Sequence, residues 1–293
     1  MENKEDWEKA GQIAKQVIEY SKTIIKKEVP LLEIAEKIES KIIELGGKPA
    51  FPINLGIDDI AAHYTPFVDD ETKAEGLLKV DIGVHVNGAV ADTAFSMDLE
   101  NSEENKKLIQ AAEYALNEAI KISKKGIKIN ELGSAIHEQI TKAGFSPIRN
   151  LSGHKIEKYN LHAGLTIPNY DNGNTTELDL GVYAIEPFTT NGNGVVYDGK
   201  PSSIYRFIER RAVRDSTARK IIEFVEEEYQ GLPFCQRWII KKFGPLAKIS
   251  LRIMVQNGIL HEYNQLVEKA HGKVAQAEHT LIIDNKETII TTI

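Results

Sequence analysis

Asp81 and Asp92 sit in the segment VDIGVHVNGAVADTA, where almost every other side chain is apolar or small. Carboxylates in such a setting share a proton, pair with an arginine, or hold a metal ion; the remaining option is that both are solvated on an exposed sheet face. Asn87-Gly88 governs their placement. That dipeptide between two alternating runs predicts a hairpin with a two-residue turn, because both central residues of a type I′ turn take positive φ. Position 86 then pairs with 89, 83 with 92 and 81 with 94. Alternation puts Val80, Ile82, Val84 and Val86 on one face and Asp81 with Asp92 on the other, as diagonal neighbours ~7 Å apart. Gly83, opposite Asp92, is expected to leave room above the pair. Two like charges this close are costly away from water, and the hairpin and its flanks hold no arginine.

The elements around the hairpin occur twice. Apolar residues recur at helical spacing over 6–28, 30–45, 103–124 and 129–143, with Pro30 suited to the first turn of the second helix and Gly46-Gly47 as its stop. Segment 33–50 aligns without gaps on 131–148, matching Glu33 with Glu131, Ile38 with Ile136, Ile42 with Ile140, Gly46 with Gly144 and Pro49 with Pro147. Two unrelated amphipathic helices ending in glycine would share some of these signals. Lys26-Lys27 falling on Lys124-Lys125 at the same offset favours duplication. Downstream, EGLLKVDIGV lines up with LGVYAIEPF, which puts Gly76 on Gly181 and Asp81 on Glu186. A later run, KVAQAEHTLII, carries Glu278 in an Ala-Glu-His-Thr context that echoes Ala91-Asp92-Thr93.

Two copies of a helix–helix–strand–hairpin unit related by a twofold would bring four carboxylates to one centre. Two divalent ions cancel that charge, and such a cluster is what a two-metal hydrolase requires. A nitrogen ligand is also expected, since all-oxygen sites favour magnesium or calcium. His154 and His162 in LSGHKIEKYNLHAG, and His63 in DDIAAHYTP, are the candidates; the histidines at 85, 137, 261, 271 and 279 are read as structural or surface residues.

Composition narrows the function classes. The chain has 293 residues, 42% of them apolar and 27% charged, with a net charge of −7. That is an ordinary globular composition, and the balance argues against dedicated nucleic-acid or polybasic membrane binding. A single cysteine, Cys235, rules out an internal disulfide framework and fits a reducing compartment. MENKEDWEKAGQIAKQ has no secretory pattern and no apolar run approaches the ~18 residues of a membrane span, so a cytoplasmic location is expected. His-Glu-x-x-His, P-loop, Gly-x-Gly-x-x-Gly and Cys-x-x-Cys signatures are absent, and the one Glu-x-x-His, Glu268 to His271, lacks the second copy a di-iron bundle needs.

PAFPINLGIDDIAAHYTP, KVDIGVHVNGAVADTA, NLSGHKIEKYNLHAG, YAIEPF and AQAEHTLII, in that order, resemble the methionine aminopeptidases, and the likeness runs over essentially the whole chain. The carboxylate–histidine set is specific to the wider "pita-bread" metallopeptidases. The resemblance implies an α/β (α+β) pita-bread fold with an internal pseudo-twofold repeat, its curved antiparallel sheet covered by helices. It places the five metal ligands at Asp81, Asp92, His154, Glu186 and Glu278, with Asp92 and Glu278 bridging two ions. Glu186 is implied as the proton acceptor, His63 and His162 as substrate-contacting histidines, and Phe51, Leu161 and Tyr263 as the lining of a methionine pocket. Ala277 departs from the family, which usually has phenylalanine there, and puts local packing beside Glu278 in question.

Between near Tyr205 and near Tyr263 the sequence reads as helices, ARKIIEFVEEEYQ, FCQRWIIKKFG and AKISLRIMVQNG. This is similar to the inserted helical subdomain of type 2 enzymes, and archaeal type 2 enzymes are the nearest likeness. The expected division is 1–204 with 264–293 as the metallopeptidase domain and 205–263 as the subdomain. The implied activity is removal of initiator methionine from nascent chains when the second residue is small. The implied cofactors are two divalent ions, with cobalt, manganese, iron or zinc suited to a carboxylate-rich site bearing one imidazole. Nascent polypeptides are the implied partners, with the ribosome a candidate, and the chain is expected to be monomeric. An Xaa-Pro peptidase of the same fold is one rival, although only about fifty residues precede PAFPINL, too few for that family's extra domain. A non-catalytic, RNA-binding protein on this fold is another; such relatives have lost metal ligands that are all present here.

Overall fold

The computed structural model describes residues 3–293. Helices α1 (Lys4–Ile24) and α2 (Leu31–Glu44) precede a hairpin of two ten-residue strands, Leu77–Val86 and Ala89–Asp98. Pro30 lies just before α2 rather than inside its first turn. The hairpin has the predicted register, with Val86 opposite Ala89, Gly83 opposite Asp92 and Asp81 opposite Ala94. Asn87 and Gly88 take φ of 50° and 87°, the positive values the two-residue turn demands. α1 and α2 cover the valine face: Ile13, Val17, Ile34, Ile38 and Ile42 pack with Val80, Ile82 and Val84. The aspartates are thereby left on the opposite face.

The duplication is visible in hydrogen bonds. α2 ends with Gly47 N–H donating to Ile42 O and Gly46 N–H to Ile43 O; α4 (Ile129–Lys142) ends with Phe145 to Ile140 and Gly144 to Thr141. Each pair is shifted by 98 residues. Gly46 and Gly144 both have positive φ, 86° and 85°, the left-handed stop that glycine takes without strain. Lys48–Pro49 pairs with His85–Val84, and Ser146–Pro147 pairs with Thr190–Thr189, so the sheet partners are shifted by the 105 residues that separate Asp81 from Glu186.

In the second half, Gly181–Ile185 runs antiparallel to His279–Ile283 on one side and to Ser152–Ile156 on the other. α3 (Glu103–Ile122) and α4 cover one face of this sheet through Leu116, Ile136, Tyr183 and Leu281. Its other face, with Val182, Ala184 and Ile282, meets Phe51, Val90 and Leu161. The two halves join where Ala94 pairs with Glu278 in an isolated antiparallel bridge.

Strands Val196–Phe207 and Leu260–Glu268 stay paired up to Phe207 opposite Leu260. Between them the chain forms α5 (Ser216–Glu228), α6 (Gln236–Phe243) and α7 (Ala247–Gln256), which share a core of Ile221, Val225, Phe234, Ile239, Leu251 and Met254. Among the described residues no helix is long and apolar enough to cross a membrane.

Candidate metal centre

Alternation along four strands aims one set of side chains at a common point. Asp81 and Asp92 leave the inner face of the first hairpin, Glu186 follows Ala184 on the inner face of the second sheet, and Glu278 lies beside Ala94 across the junction. His154 comes from the strand Ser152–Ile156, directly opposite Ala184. Its Nε2 is 3.6 Å from Asp92 Oδ2 and 3.8 Å from Glu186 Oε1. Donor atoms of Asp92, His154 and Glu278 lie within 4.8 Å of one another. Asp92, His154 and Glu278 are 4%, 4% and 1% exposed, so this cluster is cut off from bulk water.

Those five residues line a cavity of about 230 Å³. His63, His162, Phe51, Leu161 and Tyr263 line it too, so all ten residues singled out in the sequence meet in one place. The His154 and His162 rings stand 4.3 Å apart, and His63 meets Tyr263 edge-on at 5.2 Å. The room expected above Gly83 is not open space. A Cβ there would lie 2.3 Å from the Phe51 ring, so the glycine admits Phe51 to the cavity wall.

The electrostatics of the bare cluster are unfavourable. Burial pushes the Asp81 carboxyl up to about 7. Burial first, and neighbouring carboxylates second, hold Asp92, Glu186 and Glu278 well above the ordinary range. Burial, with His162 beside it, lowers His154 to about 3, so its ring is neutral and its contacts with Asp92 and Glu186 are not ion pairs. His162 falls to about 4 through burial, then the nearby His63 and Arg206. Burial also lowers His63.

The donor set fits divalent cations. Asp81 Oδ1, Asp92 Oδ1 and Glu278 Oε1 are shut away from solvent with no hydrogen-bond partner. Among the described residues, no lysine or arginine lines the cavity to neutralise them. Orphaned, converging carboxylate oxygens with one neutral imidazole are what a hard or borderline divalent ion takes up.

Several residues that build the centre carried no role in the sequence reading. Thr280 Oγ1 accepts from Asp92 N–H at 2.8 Å and donates to Asp92 O at 2.7 Å, and Thr93 Oγ1 donates to Glu278 O at 2.9 Å. The Ala-Asp-Thr and Ala-Glu-His-Thr echo was their signal. Gln276 Nε2 reaches Glu278 Oε2 at 3.4 Å. Ala277 is 5% exposed, packed into the α3–α4 core, and its N–H donates to Pro187 O; it lies in the break between the strands Val274–Gln276 and His279–Ile283. Glu268 is no ligand: its carboxylate accepts from the N–H groups of Asn193, Gly194, Ala270 and Gly272. His271 instead contacts Asp59 at 2.6 Å.

The sequence profile of metallopeptidase family M24 matches residues 5–283. A methionine aminopeptidase of Pyrococcus abyssi is 47% identical over 291 residues, 97% of each chain. Among solved structures, a thermophilic Arx1 superposes with a TM-score of 0.82 at 15% identity, covering 98% of this chain and 89% of that one. A methionine aminopeptidase of Thermotoga maritima superposes with a TM-score of 0.71 at 21% identity, covering 98% and 95%. At those identities the structural likeness speaks for the pita-bread fold alone.

Proposed function

The chain belongs to metallopeptidase family M24, among the methionine aminopeptidases, and we propose that it hydrolyses the N-terminal methionine from nascent polypeptides whose second residue is small. It is a metallo-exopeptidase. The observation that carries this reading is the convergence of four carboxyls, Asp92 and Glu278 buried and Asp81 and Glu186 partly so, with one neutral imidazole beside a slot walled by Phe51, Leu161 and Tyr263.

Asp81, Asp92, His154, Glu186 and Glu278 would hold two divalent ions, drawn from cobalt, manganese, iron and zinc. Divalent ions held there supply the Lewis acidity that polarises a peptide carbonyl and acidifies an attacking water. Glu186, whose carboxyl oxygen lies 3.8 Å from His154 Nε2, would be ionised with cations bound and would then take the water proton and return it to the departing amine. His63 Nδ1 lies 3.2 Å from Asn264 O and, facing a carbonyl, must donate. Being neutral, His63 therefore turns an accepting Nε2 to the substrate. Donation to the scissile carbonyl oxygen falls to His162. Phe51, Leu161 and Tyr263 exclude water from the methionine side chain; an apolar slot of this kind separates near-isosteres by only ~1–3 kcal/mol.

We read 1–204 with 264–293 as the metallopeptidase domain and 205–263 as an inserted helical subdomain, supported by the separate core of α5–α7. The reaction is assigned to the cytoplasm, to chains emerging from the ribosome, with the protein acting as a monomer. The test is methionine release from Met-Ala-Ser by metal-stripped protein re-supplied with each ion, compared with cleavage of Gly-Pro. Activity on Met-Ala-Ser restored by a divalent ion supports the assignment. Preferential cleavage of Gly-Pro would move it to the Xaa-Pro peptidases, and tight RNA binding without peptidase activity to a binding protein.

A further inference from the structure

Behind the first hairpin a second cleft, about 640 Å³, separates α2 and Lys48–Pro49 from α5 and α6. That volume is in the ~300–1,000 Å³ range of small-molecule sites. Its outer wall is aromatic. Tyr229 and Trp238 stack with centroids 5.8 Å apart, and Phe224 stands edge-on to Tyr229 at 5.6 Å.

Two polar groups in the cleft are unspent. His85 is 6% exposed and forms part of the wall. Its Nδ1 accepts from Gly88 N–H at 3.2 Å, which fixes the ring proton on Nε2. Burial lowers His85 to about 4, so the ring is neutral near pH 7. Among the described residues the Nε2–H group meets no acceptor, and the half-buried Tyr229 hydroxyl has no partner either. Neither atom is shut away from solvent, so both can bond to an occupant of the cleft.

The charges are also unequally used. Glu39 is consumed by both nitrogens of the Arg237 fork, at 2.6 and 2.8 Å, and by Trp238 Nε1 at 2.9 Å. Glu228 is taken by Lys48 at 2.7 Å. Lys241 and Lys242 line the rim without a carboxylate partner, Lys242 resting over the Phe224 ring at 4.1 Å, and Glu36 is the one acid left to oppose them.

We infer that this cleft binds a planar heteroaromatic anion. The ring lies along the Trp238–Tyr229 wall, a ring nitrogen or carbonyl accepts from His85 Nε2–H, and the anionic group meets Lys241 and Lys242. The Trp238 N–H is already committed to Glu39, so its face rather than its edge makes the contact. A nucleoside monophosphate has all three features.

Adenosine monophosphate is the test compound, with adenosine lacking the anion and inorganic phosphate lacking the ring; chelator is kept present so that phosphate cannot report on the metal centre. The chain has two tryptophans, so Trp7→Phe leaves Trp238 as the only reporter. The expected result is saturable quenching by adenosine monophosphate with Kd below ~1 mM, adenosine about tenfold weaker, and phosphate silent. Lys241→Ala with Lys242→Ala, checked for folding by circular dichroism, should bring adenosine monophosphate down to the level of adenosine. Calorimetry on the unsubstituted chain makes the same comparison independently of Trp7→Phe. Absence of saturable binding overturns the inference, as does equal binding of adenosine and its monophosphate, or binding indifferent to the two lysines.

Discussion

Ala94 and Glu278 exchange both backbone hydrogen bonds, Glu278 N–H to Ala94 O at 3.0 Å and Ala94 N–H to Glu278 O at 3.3 Å. This bridge lies at the seam between the two halves, next to the carboxylates each contributes. Beside it, where a continuous ladder would satisfy the backbone of Asp92, the Thr280 hydroxyl substitutes for a strand by bonding both Asp92 N and Asp92 O.

Thr280→Val keeps the shape of the side chain and removes both bonds. A buried N–H and C=O left without partners cost about 1–3 kcal/mol each, so a loss of at least ~1 kcal/mol is expected in urea unfolding. Because Thr280 positions Asp92 rather than touching substrate, cation affinity measured by calorimetry should fall as well. Unchanged affinity alongside the stability loss would show Thr280 to be purely structural. Thr280→Ser should restore both.

Glu186→Gln preserves volume and one acceptor oxygen while removing the proton acceptor. Turnover of Met-Ala-Ser should drop at least ~10²-fold, while calorimetry still records cation uptake by the remaining donors. Release of methionine at a near-normal rate would remove Glu186 from the role of base.

Cation-free protein should show an unusual pH response. Burial raises Asp81 to about 7, and burial with the neighbouring carboxylates raises Asp92, Glu186 and Glu278 well above their ordinary values, so in the folded state these groups hold protons that the unfolded chain gives up near pH 4. Their contribution to stability is present at low pH and is lost as pH rises through the folded values. His154 and His162, lowered to about 3 and about 4, act in the opposite sense, but only below their ordinary value of 6.5. Between pH 6.5 and 8 Lys79, whose amine burial lowers to about 7, acts against the carboxyls, but one amine offsets only part of four raised carboxyls, and the melting temperature of chelator-treated protein should fall. Saturation with a divalent ion should raise it, more at pH 8 than at pH 6.5. A melting temperature that is flat, or that rises, over this range without cations would contradict the buried cluster.

The hairpin and the duplication were legible because local rules fix them. Asn87-Gly88 admits one turn, period-two alternation then decides which residues face Asp81, and the glycine stops at 46 and 144 are set by backbone conformation. The candidate ligand set came from family likeness as much as from physics; nothing in LSGHKIEKYNLHAG distinguishes His154 from His162 until the strand Ser152–Ile156 is paired with Gly181–Ile185. Contacts made across long sequence separations were not legible. Thr280 meets Asp92 over 188 positions, and no periodicity links them. Neither does any local signal tell that Phe51 lies over Gly83.

That last pair gives a prediction in which stability and specificity are coupled. Gly83 has ordinary negative φ, so Gly83→Ala introduces no backbone strain; its new methyl would sit 2.3 Å from the Phe51 ring and must displace it. Overpacking of this kind costs typically ~1–3 kcal/mol. Since Phe51 lines the cavity and walls the proposed methionine slot, KM for Met-Ala-Ser should rise while kcat changes less, because the carboxylate cluster on the neighbouring positions is untouched. Phe51→Ala alone should also raise KM, by enlarging the slot. In the double substitution the clash is gone, so the stability losses should fall short of additive by ~0.5 kcal/mol or more, the signature of residues in contact. Strictly additive losses in urea unfolding would mean that the ring does not occupy the space the glycine provides, and the slot would then have to be walled by Leu161 and Tyr263 alone.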